Sequence, residues 1–167
     1  MDALDKRILA ALQRDSTTPL EELARQVNSS KTPVWNRIRK MRESGVIKAN
    51  VSLIDPESVG LGVCFFMLVR TNAHEQNWLK SFQDAVARHP EILEAHRLAG
   101  DVDYILKVRV ASPSGFDAFY RRLISEVAIY NVTSLLSMEE MKNETALPIE
   151  LGATKRKGRG AEDDAEK

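Results

Sequence analysis

The chain holds one cysteine, Cys64, among 167 residues. A single thiol closes no intrachain disulfide, so no disulfide framework holds this fold, and the composition fits a reducing compartment. No apolar run approaches the roughly 20 residues that span a bilayer. The opening MDALDKRIL places acids where a secretory signal needs a basic stretch and an apolar core. The expectation is a soluble, cytoplasmic protein with no membrane partner. His74, His89 and His96 stand at no metal-ligand spacing, so neither a metal nor a cofactor is expected. Both a Gly-rich phosphate loop and a G-x-S-x-G nucleophile motif are missing, and nothing supports an enzyme.

Net charge is missing too, because Lys plus Arg equals Asp plus Glu at 24 each. The balance hides an asymmetry. Residues 1–50 carry ten basic side chains against six acidic ones, whereas residues 51–151 carry nine against fourteen. Two modules are expected, the first with an anionic partner.

What is present starts with NSSKTPVWNRIRKMRESGVIKAN, residues 28–50. Ser29 and Ser30 suit a helix N-cap, and Pro33 falls in the first turn, where its missing N–H costs nothing. Val34, Ile38 and Met41 recur at i, i+4, i+7, one narrow apolar stripe. Gly45 supplies the stop, with Arg42 in the last turn, where the helix dipole favours a cation. The rest of the surface carries Lys31, Thr32, Trp35, Asn36, Arg39 and Lys40. Two helices precede it. Residues 2–14 have Leu4, Ile8, Leu9 and Leu12 in register. Pro19 to Val27 is capped by Thr18 and shows Leu20, Leu23, Ala24 and Val27. Three short helices with a tight turn before the last form a helix-turn-helix pattern. Phosphate contacts are expected from Lys31, Thr32, Arg37, Arg39 and Lys40, and base contacts from Asn36 and Arg39. Trp35 has two readings, a groove contact or a packed ring. Arg37 has two as well, a phosphate contact or a brace within the domain.

Val46 to Leu53 is β-rich and reads as a small wing or as the way out of the domain. Asp55-Pro56-Glu57-Ser58, followed by Gly60 and Gly62, reads as a linker. Beyond it the period changes. Val63 to Arg70 reads as a buried strand, residues 75–89 as a helix and Ile92 to Leu98 as a strand. Gly100-Asp101 follows as a turn. Asp103 to Val110 reads as a strand with Tyr104, Leu106, Val108 and Val110 on one face. A helix starts at Pro113, Ile129 to Ser137 is the last main strand, and Thr145 to Ile149 adds an edge strand. The order βαββαβ is the ferredoxin-like split unit. Its helices cover one sheet face, which leaves an apolar second face for a second copy. The turn Leu98 to Tyr104, taken alone, reads best as a tight hairpin; its functional reading is a small-ligand site.

The motifs Leu4-Asp5-x-x-Ile8-Leu9, Glu22-Leu23-Ala24, Ser30-Lys31-Thr32-Pro33-Val34-Trp35-x-Arg37-Ile38, Glu43-x-Gly45-Val46-Ile47 and Gly100-Asp101-x-Asp103-Tyr104 occur in this order. With them the chain resembles the Lrp/AsnC transcriptional regulators over nearly all of residues 2–150. The resemblance implies an α+β protein. A winged helix-turn-helix spans 1–50, a linker strand and turn 51–62, a βαββαβ effector-binding and oligomerisation domain 63–151, and a disordered charged tail 152–167. It implies that double-stranded DNA is bound by Ser30, Lys31, Thr32, Trp35, Asn36, Arg37, Arg39 and Lys40. It implies dimers joined through their sheets and further assembly to octamers. It implies a small effector, an amino acid, between dimers at His96, Gly100, Asp101, Asp103, Tyr104, Thr133, Ser134 and Leu136. Ala99 and Ser134 depart from the hydroxyl residue and the threonine usual there, and the tail lies outside the family pattern. The function implied is regulation of amino-acid metabolism by effector-dependent changes in oligomer geometry. Two rivals stand beside it, an effector-independent architectural DNA protein and a ligand-sensing partner of an enzyme.

Overall fold

Asp2 begins the first helix by accepting the N–H groups of Leu4 and Asp5, while the Asp5 carboxylate accepts the N–H of Asp2. Two orphan donors of the first turn are thereby satisfied. The computed structural model describes residues 1–72 and 75–149. The elements are α1 (Ala3–Arg14), α2 (Leu20–Gln26), α3 (Lys31–Glu43), β1 (Val63–Arg70), α4 (Gln76–Arg88), β2 (Ile92–Arg97), β3 (Tyr104–Val110), α5 (Pro113–Glu126) and β4 (Asn131–Leu136). They fall into two units, one of Met1–Val51 joined by the segment that begins at Lys142, the other Ser52–Met141.

In the first unit, α1, α2 and α3 enclose Ile8, Leu9, Leu23, Ala24, Val27, Val34, Ile38 and Met41. Every member of the expected α3 stripe is buried. Asn28, at φ 53, makes the turn between α2 and α3, and the next amide, Ser29 N–H, donates back to Ala24 O at 2.9 Å. This is the short reversal that a helix-turn-helix needs, and Asn tolerates the left-handed backbone. Caps differ from expectation. Pro19 holds the N-cap position of α2 without a side-chain bond, and Thr18 Oγ1 instead donates to Asp15 O at 3.1 Å. Ser30 is the N-cap of α3, also without a side-chain bond.

Of the two readings of residues 46–53 the wing does not form, and neither does the edge strand at Thr145 to Ile149. Residues 46–53 pair with no strand among the described residues. Gly45, at φ 73, turns the chain, and Ile47 N–H donates to Met41 O at 3.0 Å. Ile47 thus packs back against the helical core, and its amide is spent on the helix end rather than on a wing ladder. Between Thr145 and Ile149, Leu147 exchanges hydrogen bonds with the Gln13 side chain, at 2.7 Å from its N–H and 3.2 Å to its carbonyl, and Ile149 packs on the first unit's core. This segment therefore belongs with the helices of residues 1–51 and not with the sheet. The tail, residues 152–167, lies outside the described residues.

The second unit is a four-stranded antiparallel sheet of order β2-β3-β1-β4, which is the ferredoxin-like arrangement. Its core holds Met67, Val69, Phe82, Ala85, Tyr104, Leu106, Val108, Val110, Phe119, Leu123 and Val127. The helices α4 and α5 supply Phe82, Ala85, Phe119 and Leu123, so one sheet face is covered. Arg88 of α4 binds Glu126 of α5 at 2.7 Å, and the buried His89 lies 3.2 Å from the same carboxylate. The register puts Cys64, Phe66 and Leu68 of β1, Ile105 of β3 and Thr133 and Leu135 of β4 on the opposite face. Strand alternation leaves Phe66, Leu68 and Ile105 only half-buried on this face, with Cys64 buried and Lys107 and Arg109 beside them in register. Ion pairs line it, Lys107 with Glu94 at 3.3 Å and Arg109 with Glu140 at 2.8 Å.

Candidate DNA interface and effector site

The first site is the surface of α3. Burial of Val34, Ile38 and Met41 fixes the helix roll, so Lys31, Thr32, Trp35, Asn36, Arg39 and Lys40 are all exposed. Trp35 is 49% exposed, which removes the packed-ring reading. The Arg39 guanidinium lies 4.9 Å from its ring centroid and 3.6 Å from Glu43, two contacts that hold this long side chain against the helix. Lys31 reaches Glu21 of α2 at 2.9 Å, a bond at high exposure that a phosphate can displace.

Arg37 behaves differently. Its guanidinium meets Asp2 at 2.6 Å and Asp5 at 2.7 Å, so it bridges α3 to the capping box of α1. The Asp5 N–H and then the Arg37 guanidinium hold the Asp2 carboxyl below its ordinary range. Burial pushes Asp5 up, but the Asp2 N–H and Arg37 outweigh it and the net direction is down. Of the two readings of Arg37, the brace is the one the geometry adopts.

The second group of candidates is spread over the sheet. Gly100 has φ 151, a backbone that L side chains rarely adopt, although open space surrounds it. Asp101 is exposed. Asp103 is a tie: its carboxylate accepts Thr71 N–H at 2.8 Å, its N–H donates to Val69 O, and its carbonyl accepts Leu98 N–H. Tyr104 is a core ring, 4.7 Å from Phe82 and 5.9 Å from Trp78. His96 is exposed, 3.4 Å from Glu94. Thr133 lies opposite Leu68, whereas Ser134 and Leu136 lie opposite Met67 and Phe65 and so share the other face. His96 and Thr133 sit on the two edge strands, three spacings or about 14 Å apart. One chain does not gather these residues around one small molecule. Among the described residues no group of three or more His, Cys, Asp or Glu can hold a metal.

Sequence reasoning missed Gln13, which clamps Leu147, and the cation pair of Arg109 and Lys107 beside the apolar sheet face. Only the contacts of the folded chain reveal either.

Comparison with known proteins agrees with this architecture. The AsnC-type helix-turn-helix domain matches residues 1–42, and the Lrp/AsnC ligand binding domain matches residues 64–147. The chain is 40% identical over 151 residues to the DNA-binding transcriptional activator DecR of Escherichia coli, covering 90% of this chain and 99% of that one. A crystal structure of an AsnC family transcriptional regulator from Agrobacterium tumefaciens superposes with a TM-score of 0.87 at 45% identity, over 90% of this chain and 99% of that one. The transcriptional regulator NMB0573 of Neisseria meningitidis, solved as an L-Met complex, superposes with a TM-score of 0.84 at 28% identity, over 89% and 97%. Four exposed basic side chains on a docked third helix, a split βαββαβ sheet and both domain matches lead to one assignment: the chain belongs to the Lrp/AsnC family of transcriptional regulators.

Proposed function

We propose that this regulator reads duplex DNA with the exposed face of α3 and answers to an amino acid held between copies of its second unit. The observation that carries the first half is the helix roll. With Val34, Ile38 and Met41 docked, the outward side chains are cations, an amide and an indole. Lys31, Thr32 and Lys40 are matched to phosphates, with Ser30 at the helix start. Asn36 and Arg39 are matched to adenine and guanine edges in the major groove. Arg39 arrives pre-positioned by Trp35, which lowers the entropy lost on contact.

Two copies join through the apolar sheet face of Cys64, Phe66, Leu68, Ile105 and Leu135. This presents two α3 helices to a pseudo-palindromic site. Dimers then assemble further. The effector reading rests on the chemistry of the turn: the connection at Gly100 offers backbone amides to a carboxylate, and Asp101 offers a counter-charge to an ammonium group. The separation of His96 from Thr133 supports a site completed by a second copy. The complex of NMB0573 with L-Met supports the ligand class. Among the described residues no helix is long and apolar enough to cross a membrane, and the proposed place of action is the cytoplasm.

Arg39→Ala tests the DNA half. Affinity for the chain's own upstream DNA should fall at least tenfold, and the slope of log K against log salt should shrink by about 0.9 if the side chain sits on a phosphate. Unchanged binding means that α3 is not the reading helix. A melting screen of the twenty amino acids tests the effector half, since a ligand bound only by the folded state raises the midpoint. If none does, the architectural reading replaces it.

A further inference from the structure

The helix-covered side of the sheet is not filled at its β2 edge. Register places Ala95 and Arg97 on that side, opposite Leu106 and Tyr104. Leu106 and Tyr104 are buried, but Ala95 and Arg97 are exposed. A methyl and a guanidinium stand where an inner strand carries large apolar groups. The gap is a cavity of about 290 Å³ between α4 and β2, lined by Leu79, Phe82, Gln83, Val86, Arg97 and Tyr104. That volume is at the small end of ligand pockets, which start near about 300 Å³. The Arg97 side chain makes no ion pair or hydrogen bond among the described residues, its backbone being paired in the β2–β3 ladder. No Asp or Glu lines the cavity, and neither Gly100 nor Asp101 does.

From these features we infer that the α4–β2 pocket binds a short aliphatic carboxylate that carries no ammonium group, within a single protomer. The carboxylate meets Arg97, whose planar fork matches two oxygens. The aliphatic tail lies against Leu79, Val86 and the Tyr104 ring. Gln83 supplies an amide N–H to a second oxygen, so a 2-oxo acid fits better than the simple acid. An amino acid fits worse, because its ammonium group would lose water beside Arg97 with no counter-charge. The class is therefore the deaminated skeleton of an aliphatic amino acid. The cavity is lined by two of the effector candidates, His96 and Tyr104, but not by the turn at Gly100 and Asp101, and its occupancy needs no second copy.

Isothermal titration of the full chain with 4-methyl-2-oxopentanoate tests the inference. The expected result is one site per protomer, weakened at least tenfold by Arg97→Ala and by Ala87→Trp, which fills the cavity from an exposed position on α4. Asp101→Ala should leave it unchanged, and L-leucine should bind this pocket at least tenfold more weakly than the oxo acid. Melting curves of the variants show that they are folded. DNA retention by the same preparations reports separately on the regulator reading. No binding of the probe at millimolar concentration, or binding lost in Asp101→Ala but kept in Arg97→Ala and Ala87→Trp, would overturn the pocket.

Discussion

Arg37 and Arg39 are two residues apart on one helix and have opposite employment. Arg37 is held by two carboxylates of the α1 cap, at 2.6 and 2.7 Å, whereas Arg39 leans on an exposed indole. The difference makes a double prediction. Arg37→Ala should lower the melting midpoint of the helical unit and leave the salt slope of DNA binding as it was. Arg39→Ala should leave the midpoint as it was and weaken DNA binding. The same cluster gives a pH dependence. Asp2 and Asp5 have folded values below 3.8, so each contributes stability that is present above that value and is lost as pH falls through the lower folded value. Acid melts should therefore drop more steeply below about pH 4 for the native chain than for Asp2→Asn/Asp5→Asn. Parallel curves would show that the carboxylates contribute nothing.

At the scale of elements, α3 stands on three side chains. Ile38→Ala should cost about 2–4 kcal/mol by urea melting, since a buried aliphatic side chain of the helical core is removed. Gln13→Ala removes both bonds to Leu147 and should cost about 1 kcal/mol. If it is neutral, the docked 147–149 segment adds nothing to the helical unit. These two residues also mark what the sequence makes legible. The α3 stripe could be read because Val34, Ile38 and Met41 are spaced by the helix's own period, and local period sets burial. The sheet order could be read because βαββαβ admits few topologies. Val46 to Leu53 and Thr145 to Ile149 could not. Both are short apolar runs with strand composition. Their fate was decided by partners elsewhere, Met41 O for Ile47 and the Gln13 amide, 134 residues away, for Leu147. Asp103 and Tyr104 show the same limit within a motif. The Gly100-Asp101 motif marks the turn, but only the fold shows that Asp103 ties it to β1 and that Tyr104 fills the core.

For the whole molecule the open sheet face is decisive. Phe66, Leu68, Ile105 and Leu135 form one apolar surface framed by charged pairs. Leu68→Asp should leave only monomers in sedimentation if the proposed dimer pairs through this face, because a carboxylate in its middle would have no partner. Retention of the native mass would place the contact elsewhere. Monomers should also bind DNA far more weakly, since two linked reading helices gain from effective concentration and one does not.

The most direct test of the account is dimethyl sulfate protection of the upstream DNA, which reports guanine N7 in the major groove. At saturating protein the account predicts two protected patches about 10 base pairs apart, one for each α3 of a dimer. In Arg39→Ala a guanine in each patch should reappear. Full reactivity at every guanine while the DNA is bound would contradict it.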